Sequence, residues 1–236
     1  NIAIVALGFF FLARYGTSTA LAAAYALGSA IGFAGITIAL RAHLRDIFQS
    51  FDWNLVGQIL KTAWPFGLFG LMGIVMLNTD IIMLGWLRTP EEVGYYAAAQ
   101  KLVQILYVLP TVVAGSLFPT LSKLVRTNPD EARRLLERMV ALAIITAVPI
   151  AALGIFLGPF AVPFLFGGAY APAIHAFQLL MATILIIFPS AIVGVSLFAY
   201  GGERRMPLFV AVAILGNIAL NAILIPRYGI EGAATA

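Results

Sequence analysis

Two charges stand inside otherwise apolar stretches of this chain: Asp80 in Asn78-Thr79-Asp80 and Lys101 in Gln100-Lys101. A charge near the middle of a bilayer costs at least ~2.5–3.5 kcal/mol on insertion scales, so each needs a partner or a task. Asp80 lies near the end of one apolar run and Lys101 near the start of the next, on either side of the tight connection Arg88–Glu92. At 1.5 Å per residue both lie roughly 10–12 Å below the same edge, which predicts a hairpin with an acid–base pair. Such a pair either staples the hairpin or lines a polar cavity, and the two roles are compatible. Gln100 and Gln104 stand beside Lys101 on neighbouring turns, and Asn78 is compatible with the same cavity. Asn217 and Asn221, four apart on another apolar run, share a helix face suited to hydrogen bonds between helices.

Catalytic and metal chemistry have no footing beside these groups. The sequence holds no HExxH, GxSxG or GxxxxGK[ST] pattern and no cysteine, so no phosphate loop, thiolate site or familiar hydrolase is expected. His43 and His175 fall on opposite sides of the topology described below and cannot share an ion. Glu91 and Glu92, the acids nearest to an outer loop, sit in a connection too short to build an enzyme site.

Composition says what must hold these residues. Of 236 residues, 62% are hydrophobic and 10% charged, with mean hydropathy +1.00. Soluble domains carry about 25% charged residues, so most of this surface has to face lipid. A soluble enzyme, a disordered tail and a nucleic-acid-binding module are excluded. Apolar runs of about 20 residues predict an all-α, polytopic membrane protein with six complete transmembrane helices and two partial ones. The complete spans are Thr19–Leu40, Ala63–Leu87, Val93–Phe118, Met139–Phe160, Ile174–Tyr200 and Met206–Ile225. Partial spans are Ile2–Leu12 and the segment from about Gly229. With Asn1 rather than Met at its start, the chain reads as an internal piece of a longer protein. Pro65, Pro110, Pro149 and Pro189 each fall inside a span and predict bends suited to a transporter.

Cations sort the loops. Arg41, Arg45, Lys61, Lys123, Arg126, Arg133, Arg134, Arg138, Arg204 and Arg205 fall on one side, and only Arg14, Arg88 and Arg227 on the other. The positive-inside rule makes the stretches around 41–62, 119–138 and 201–205 cytoplasmic. In the second of these, Asn128-Pro129-Asp130-Glu131 reads as the start of a short, solvated surface helix, with Asp130 and Arg134 spaced to pair.

Two junctions repeat. Arg14-Tyr15-Gly16 leads into Thr17-Ser18-Thr19-Ala20, and Arg227-Tyr228-Gly229 into Ile230-Glu231-Gly232-Ala233, at an offset of 213 residues. Six spans lie between them, so the two repeats run parallel, as in many transporters.

Several stretches resemble one family. Asn78-Thr79-Asp80-Ile81-Ile82-Met83-Leu84-Gly85, Glu92-Val93-Gly94-Tyr95-Tyr96-Ala97-Ala98-Ala99-Gln100-Lys101-Leu102, Leu109-Pro110 and Phe118-Pro119 are similar to the start of the second six-helix bundle of the polysaccharide (O-antigen) flippases. These belong to the multidrug/oligosaccharidyl-lipid/polysaccharide exporter superfamily. Phe166-Gly167-Gly168-Ala169-Tyr170 resembles the element before that bundle's fourth helix, and Ile225–Ala236 its fifth-to-sixth junction. Ala13–Ala23 resembles the corresponding junction of the first bundle. The resemblance implies a two-lobe, 14-helix exporter, with residues 1–48 ending the first lobe and 49–236 forming most of the second.

It further implies a flippase moving undecaprenyl-diphosphate-linked oligosaccharide across the bacterial inner membrane by alternating access. Membrane lipids and polysaccharide polymerase or glycosyltransferase machinery would be its partners. On that reading Lys101 contacts the diphosphate and Arg88 stands at the outer mouth. Asp80 orients Lys101 or carries a coupling H+ or Na+, while Gln100, Gln104, Asn78 and Tyr96 contact sugar hydroxyls. No other cofactor and no metal is expected. A multidrug or cation antiporter and a lipid II flippase of the same superfamily remain open, as do a membrane scaffold and a membrane enzyme.

Overall fold

The computed structural model of the chain describes residues 2–49 and 52–236, without the side chains of residues 18, 42–49 and 54. The side chains of His43 and Arg45 therefore lie outside the described residues. The described residues are helical with short joints and no strand: α1 (Ile2–Tyr15), α2 (Ser18–Gln49), α3 (Trp53–Leu87), α4 (Pro90–Leu106), α5 (Val108–Thr127), α6 (Pro129–Phe166), α7 (Ala173–Ala182), α8 (Ile184–Ala199), α9 (Met206–Tyr228) and α10 (Ile230–Thr235). Five spans are long and apolar enough to cross a membrane, and the bent pair α7–α8 makes a sixth. With α1 and α10 as short flanking helices, this is the all-α, polytopic membrane architecture read from the sequence.

Apolar side chains cover the outside as well as the core. Phe156, Phe160 and Phe164 all project outward from α6, and Phe164 is 87% exposed. Water does not tolerate such a surface on this scale, whereas lipid tails require it, with every backbone group satisfied inside its own helix.

The chain divides into two compact units, one through Lys61 and one from Thr62. In the first, α1 packs on α2. Ala24 and Gly28 form a small buried stripe four residues apart, and a Cβ on Gly28 would come within 2.6 Å of the Ile4 backbone. Close packing through small residues replaces the hydrophobic drive that lipid removes.

In the second unit the closest helix approaches join α6 to α7 and α8, α5 to α8, α4 to α7, and α9 to α10. The core there is built from Leu84, Tyr96, Val103, Met181, Ile184 and Ile225. Two spans break midway. The span expected at Val93–Phe118 is interrupted at Tyr107, between α4 and α5. Proline at 110 has no N–H for the Leu106 carbonyl and its ring crowds that oxygen, so the helix gives way just before it. The span expected at Ile174–Tyr200 breaks at Thr183, and α7 and α8 meet at 40°. The two breaks touch. Tyr107 Oη lies 3.2 Å from Thr183 Oγ1, and the Thr183 hydroxyl donates to the Leu180 carbonyl at 2.6 Å.

Several expectations about the ends need correction. The stretches at 41–62 and 119–138 are mostly helix, because α2, α3, α5 and α6 extend well past their apolar runs. Asn128 does cap a helix, accepting from the Glu131 N–H at 3.3 Å, with Pro129 in the first turn. That helix is no separate surface element: α6 runs unbroken for 38 residues from Pro129. At 1.5 Å per residue it spans roughly 57 Å, against about 30 Å of hydrocarbon, so its charged start stands clear of the bilayer. The ion pair on it joins Arg133 to Glu137 at 2.8 Å, not Asp130 to Arg134.

The repeated junctions share a local geometry. Gly16 and Gly229 both have φ +61°, a left-handed conformation that a side chain would strain. Each donates its N–H to the carbonyl four residues back, Leu12 and Ile225, at 2.9 Å.

Candidate functional site

Three helices of the second unit bring polar groups together at one level: α3, α4 and α9. At its centre is Asp80. Its Oδ2 accepts from the Tyr96 hydroxyl at 2.8 Å. Its Oδ1 accepts from Asn221 Nδ2 at 2.7 Å and from Asn217 Nδ2 at 3.2 Å. The Asn221 amide also reaches Asn217 Oδ1 at 3.1 Å. One helical turn below, Gln100 Nε2 donates to the Leu77 carbonyl at 3.1 Å, tying α4 to α3 again. Tyr96 and Asn221 are fully buried. Two buried oxygens, Gln100 Oε1 and Asn221 Oδ1, accept no hydrogen bond from the described residues.

The expected acid–base pair is absent. Lys101 is exposed and its Nζ donates to Gln104 Oε1 at 3.4 Å. Among the described residues no ion pair joins it to Asp80. Register explains this. In the antiparallel hairpin Tyr96 stands opposite Asp80, and Gln100 opposite Leu77. Lys101 follows five residues after Tyr96, which is roughly 7–8 Å further along α4 and about 140° around it. Equal depth measured from each run's own end had concealed that offset. Asn78 is also exposed and donates to the Ile74 carbonyl of its own helix at 2.7 Å. The structure therefore gathers Asp80, Tyr96 and Gln100 of the expected residues, and leaves Lys101, Gln104 and Asn78 outside that network. To the network it adds Asn217 and Asn221, whose four-residue spacing was the signal for a shared face.

Arg88 has a structural partner. Its guanidinium donates to the Ile225 carbonyl through Nε at 3.1 Å and Nη2 at 2.6 Å, and to the Pro226 carbonyl at 3.0 Å. These are carbonyls at the C-terminal end of α9, where a cation also complements the helix dipole. Next to it Thr89 caps α4 in a full capping box with Glu92. The sequence signal was Thr89-Pro90-Glu91-Glu92. Beside this corner a hollow of about 490 Å³ is lined by Glu92, Tyr95, His175, Tyr228 and Glu231 among others. His175 Nδ1 lies 3.6 Å from Glu231 Oε1 there. Among the described residues no cluster of acids or histidines is suited to a metal.

Residues 2–175 match the family described as polysaccharide biosynthesis protein. The chain belongs to that family. Named relatives are transporters by description. One is the "Probable flippase AglR" of Haloferax volcanii, 30% identical over 165 residues, covering 66% of this chain and 34% of that protein. Another is the "Putative O-antigen transporter" of Shigella flexneri, 21% identical over 217 residues, covering 91% of this chain and 48% of that protein. A third is the "Probable low-salt glycan biosynthesis flippase Agl15" of Haloferax volcanii, 24% identical over 159 residues. The chain thus spans between a third and half of the curated relatives it matches. No solved structure matches it. These are descriptions of membrane carriers, not of enzymes, and they agree with the multi-pass helical architecture and the lack of catalytic motifs.

Proposed function

We propose that this family member contributes the end of the first lobe and most of the second lobe of a flippase that carries an undecaprenyl-diphosphate-linked oligosaccharide across the bacterial cytoplasmic membrane by alternating access. The observation that carries the reading is the separation of the two intramembrane charges. The charge of Asp80 is compensated by hydrogen bonds alone, and that of Lys101 by no acid among the described residues. Each is available for a partner of its own. Lys101, exposed on α4 beside Gln104, suits an anionic diphosphate. Gln104, half-buried beside Lys101, and Asn78, exposed on α3, offer groups for sugar hydroxyls. Tyr96 and Gln100 are buried and committed to α3, which demotes them from sugar contacts to ties between α4 and α3. Arg88 has its Nε and Nη2 committed to α9, which demotes it from diphosphate contact to a tie at the outer corner.

Asp80, Asn217 and Asn221 suit a coupling H+ or Na+. A hard cation seeks oxygen ligands, and Asn221 Oδ1 is buried beside the carboxylate with no donor of its own. The bias of cations toward the 41–62, 119–138 and 201–205 segments orients these stretches to the cytoplasm. There the carrier would meet glycosyltransferase or polymerase machinery.

The test is flux of a fluorescent lipid-linked oligosaccharide in proteoliposomes of known orientation. Lys101→Ala and Lys101→Glu are expected to lower flux at least tenfold while leaving folding intact. Normal flux in both variants removes Lys101 from the diphosphate site. A second reading, a cation antiporter of the same superfamily, is favoured by Asp80 having no basic partner among the described residues. Uptake of an organic cation in place of the glycolipid would decide for it.

A further inference from the structure

We infer that the α5–α6 hairpin holds an anionic phospholipid of the cytoplasmic leaflet, phosphate on Arg134 and Arg138 and one acyl chain in the apolar groove below them. The inference does not depend on what the protein transports. Two hollows open on this hairpin, and their linings follow one another along α6, the first ending at Arg138 and the second starting at Met139. The first, about 550 Å³, is lined by Thr120 and Leu124 of α5 and by the charged start of α6, including Arg134 and Arg138. The second, about 430 Å³, is lined by Val113 of α5, by Leu142, Thr146 and Ile150 of α6, and by Phe188 of α8. Arg138 of the first hollow and Leu142 of the second are four residues apart on α6, so their side chains are neighbours and the basic mouth adjoins the groove.

The chemistry along α6 changes where the bilayer interface must lie. Arg134 and Arg138 are exposed and make no ion pair among the described residues, whose pair on this helix is Arg133–Glu137. The acids of the mouth, Asp130 and Glu131, stand at the far end of the helix. Glu131 is engaged by Asn128, whose Nδ2 donates to it at 3.0 Å. Both arginines thus lie between the acids and the hydrocarbon, where a lipid phosphate sits. In the groove the Thr146 hydroxyl is taken up by the Leu142 and Ala143 carbonyls of its own helix at 2.8 and 3.1 Å. An occupant there meets carbon almost throughout. From Arg138 to Ile150 the helix rises roughly 18 Å, close to the ~15 Å of one leaflet's hydrocarbon. A free phosphate would satisfy the mouth and leave the groove unused. A neutral lipid would satisfy the groove and leave the two arginines only the acids of their own hollow, with which they form no ion pair among the described residues. A lipid with an anionic headgroup matches both ends.

The test is native mass spectrometry of the detergent-purified protein titrated with phosphatidylglycerol or phosphatidylcholine of identical chains. Phosphatidylglycerol is expected to bind more tightly. Arg134→Gln combined with Arg138→Gln should weaken it roughly thirtyfold, from about one kcal/mol per cation near the headgroups, with little change for phosphatidylcholine. Thr146→Trp, which fills the groove, should weaken both lipids, and Leu142→Ser serves the same arm if the tryptophan variant does not fold. Millimolar glycerol phosphate should displace neither. Equal binding of the two lipids to the unaltered protein, or arginine variants that bind phosphatidylglycerol normally, overturns the inference. Displacement by glycerol phosphate together with indifference to the groove variants overturns it equally, because a headgroup site alone would then suffice.

Discussion

Replacing Asp80 by Asn and by Leu separates its charge from its hydrogen bonds. The carboxylate accepts three bonds, from Tyr96, Asn217 and Asn221. A bond to a charged acceptor contributes about 1.5–3 kcal/mol and a neutral one about 0.5–1.5. Asparagine at 80 can still accept from the two asparagine amides and donate to the Tyr96 oxygen, so it weakens three bonds by a total of about 3–4 kcal/mol. Removing the charge returns at least ~2.5–3.5 kcal/mol of insertion cost. The two nearly cancel, and Asp80→Asn is expected to shift Tm by no more than a few degrees. Leucine removes all three bonds and strands the buried Tyr96 hydroxyl. Relative to Asp80→Asn that costs ~2 kcal/mol at the average value for membrane helices and up to about 4.5 at the value for neutral bonds. At 2–4 °C per kcal/mol for a chain of this size, Asp80→Leu should melt at least 4 °C below Asp80→Asn. The three tryptophans give an intrinsic fluorescence signal for both melts. Flux should respond differently: Asp80→Asn, though folded, is expected to stop following an imposed ion gradient. Equal melting of the two variants would show that the network does not hold α3, and gradient-driven flux in Asp80→Asn would remove Asp80 from coupling.

Tyr107→Phe removes the contact between the two helix breaks, leaving the Thr183 hydroxyl its bond to Leu180. Stability should fall by about 1 kcal/mol or less, seen as a small drop in Tm, with faster amide exchange around 106–108 and 182–184. Gly28→Leu drives a side chain into the Ile4 backbone. It should cost about 1–3 kcal/mol and loosen α1 from α2, read as increased protease sensitivity near Gly16. Thr89→Ala breaks the capping box of α4. It should cost ~1 kcal/mol, restored by Thr89→Ser but not by Thr89→Val, in the same melting assay.

The span architecture was legible because lipid imposes a length and an apolar composition that no local interaction overrides. The Gly16 and Gly229 turns were legible because a left-handed backbone selects glycine. Helix ends were less so. Charged residues such as Arg133 and Glu137 favour helix as well as loop, so α6 continues where hydropathy stops. The site was half legible. Intramembrane charge marked Asp80 and Lys101, and four-residue spacing marked Asn217 and Asn221. What joins α3 to α9 was not readable, because residues 137 and 141 apart in sequence meet through tertiary packing. The Tyr107–Thr183 contact was hidden for the same reason. Thr183 carries no helix-breaking signature of its own, and Tyr107 only the indirect one of a proline three residues later.

The helices of the second unit are not held together equally. Among its closest helix approaches, none involves α3. Polar ties link α3 to its neighbours at three levels: Arg88 to the end of α9, Asp80 to Tyr96 and the asparagines, and the Leu77 carbonyl to Gln100. Packed cores are bistable rather than continuously deformable, whereas a few hydrogen bonds can be exchanged at modest cost. Apolar contacts also hold α3, through Leu84 in the core and through Phe66 and Phe69 against Phe198 of α8. But it packs less closely than the other helices of this unit, and its central tie is a carboxylate whose partners a cation would replace. If Asp80 senses an ion, the response must therefore appear first in α3. Labels on α3 near Trp86 should change their distance to α9 on adding the coupling ion, while labels placed across the tightly packed α5–α8 pair should not. Equal movement of both pairs would mean that this unit moves as a rigid body and that the ties of α3 are only structural.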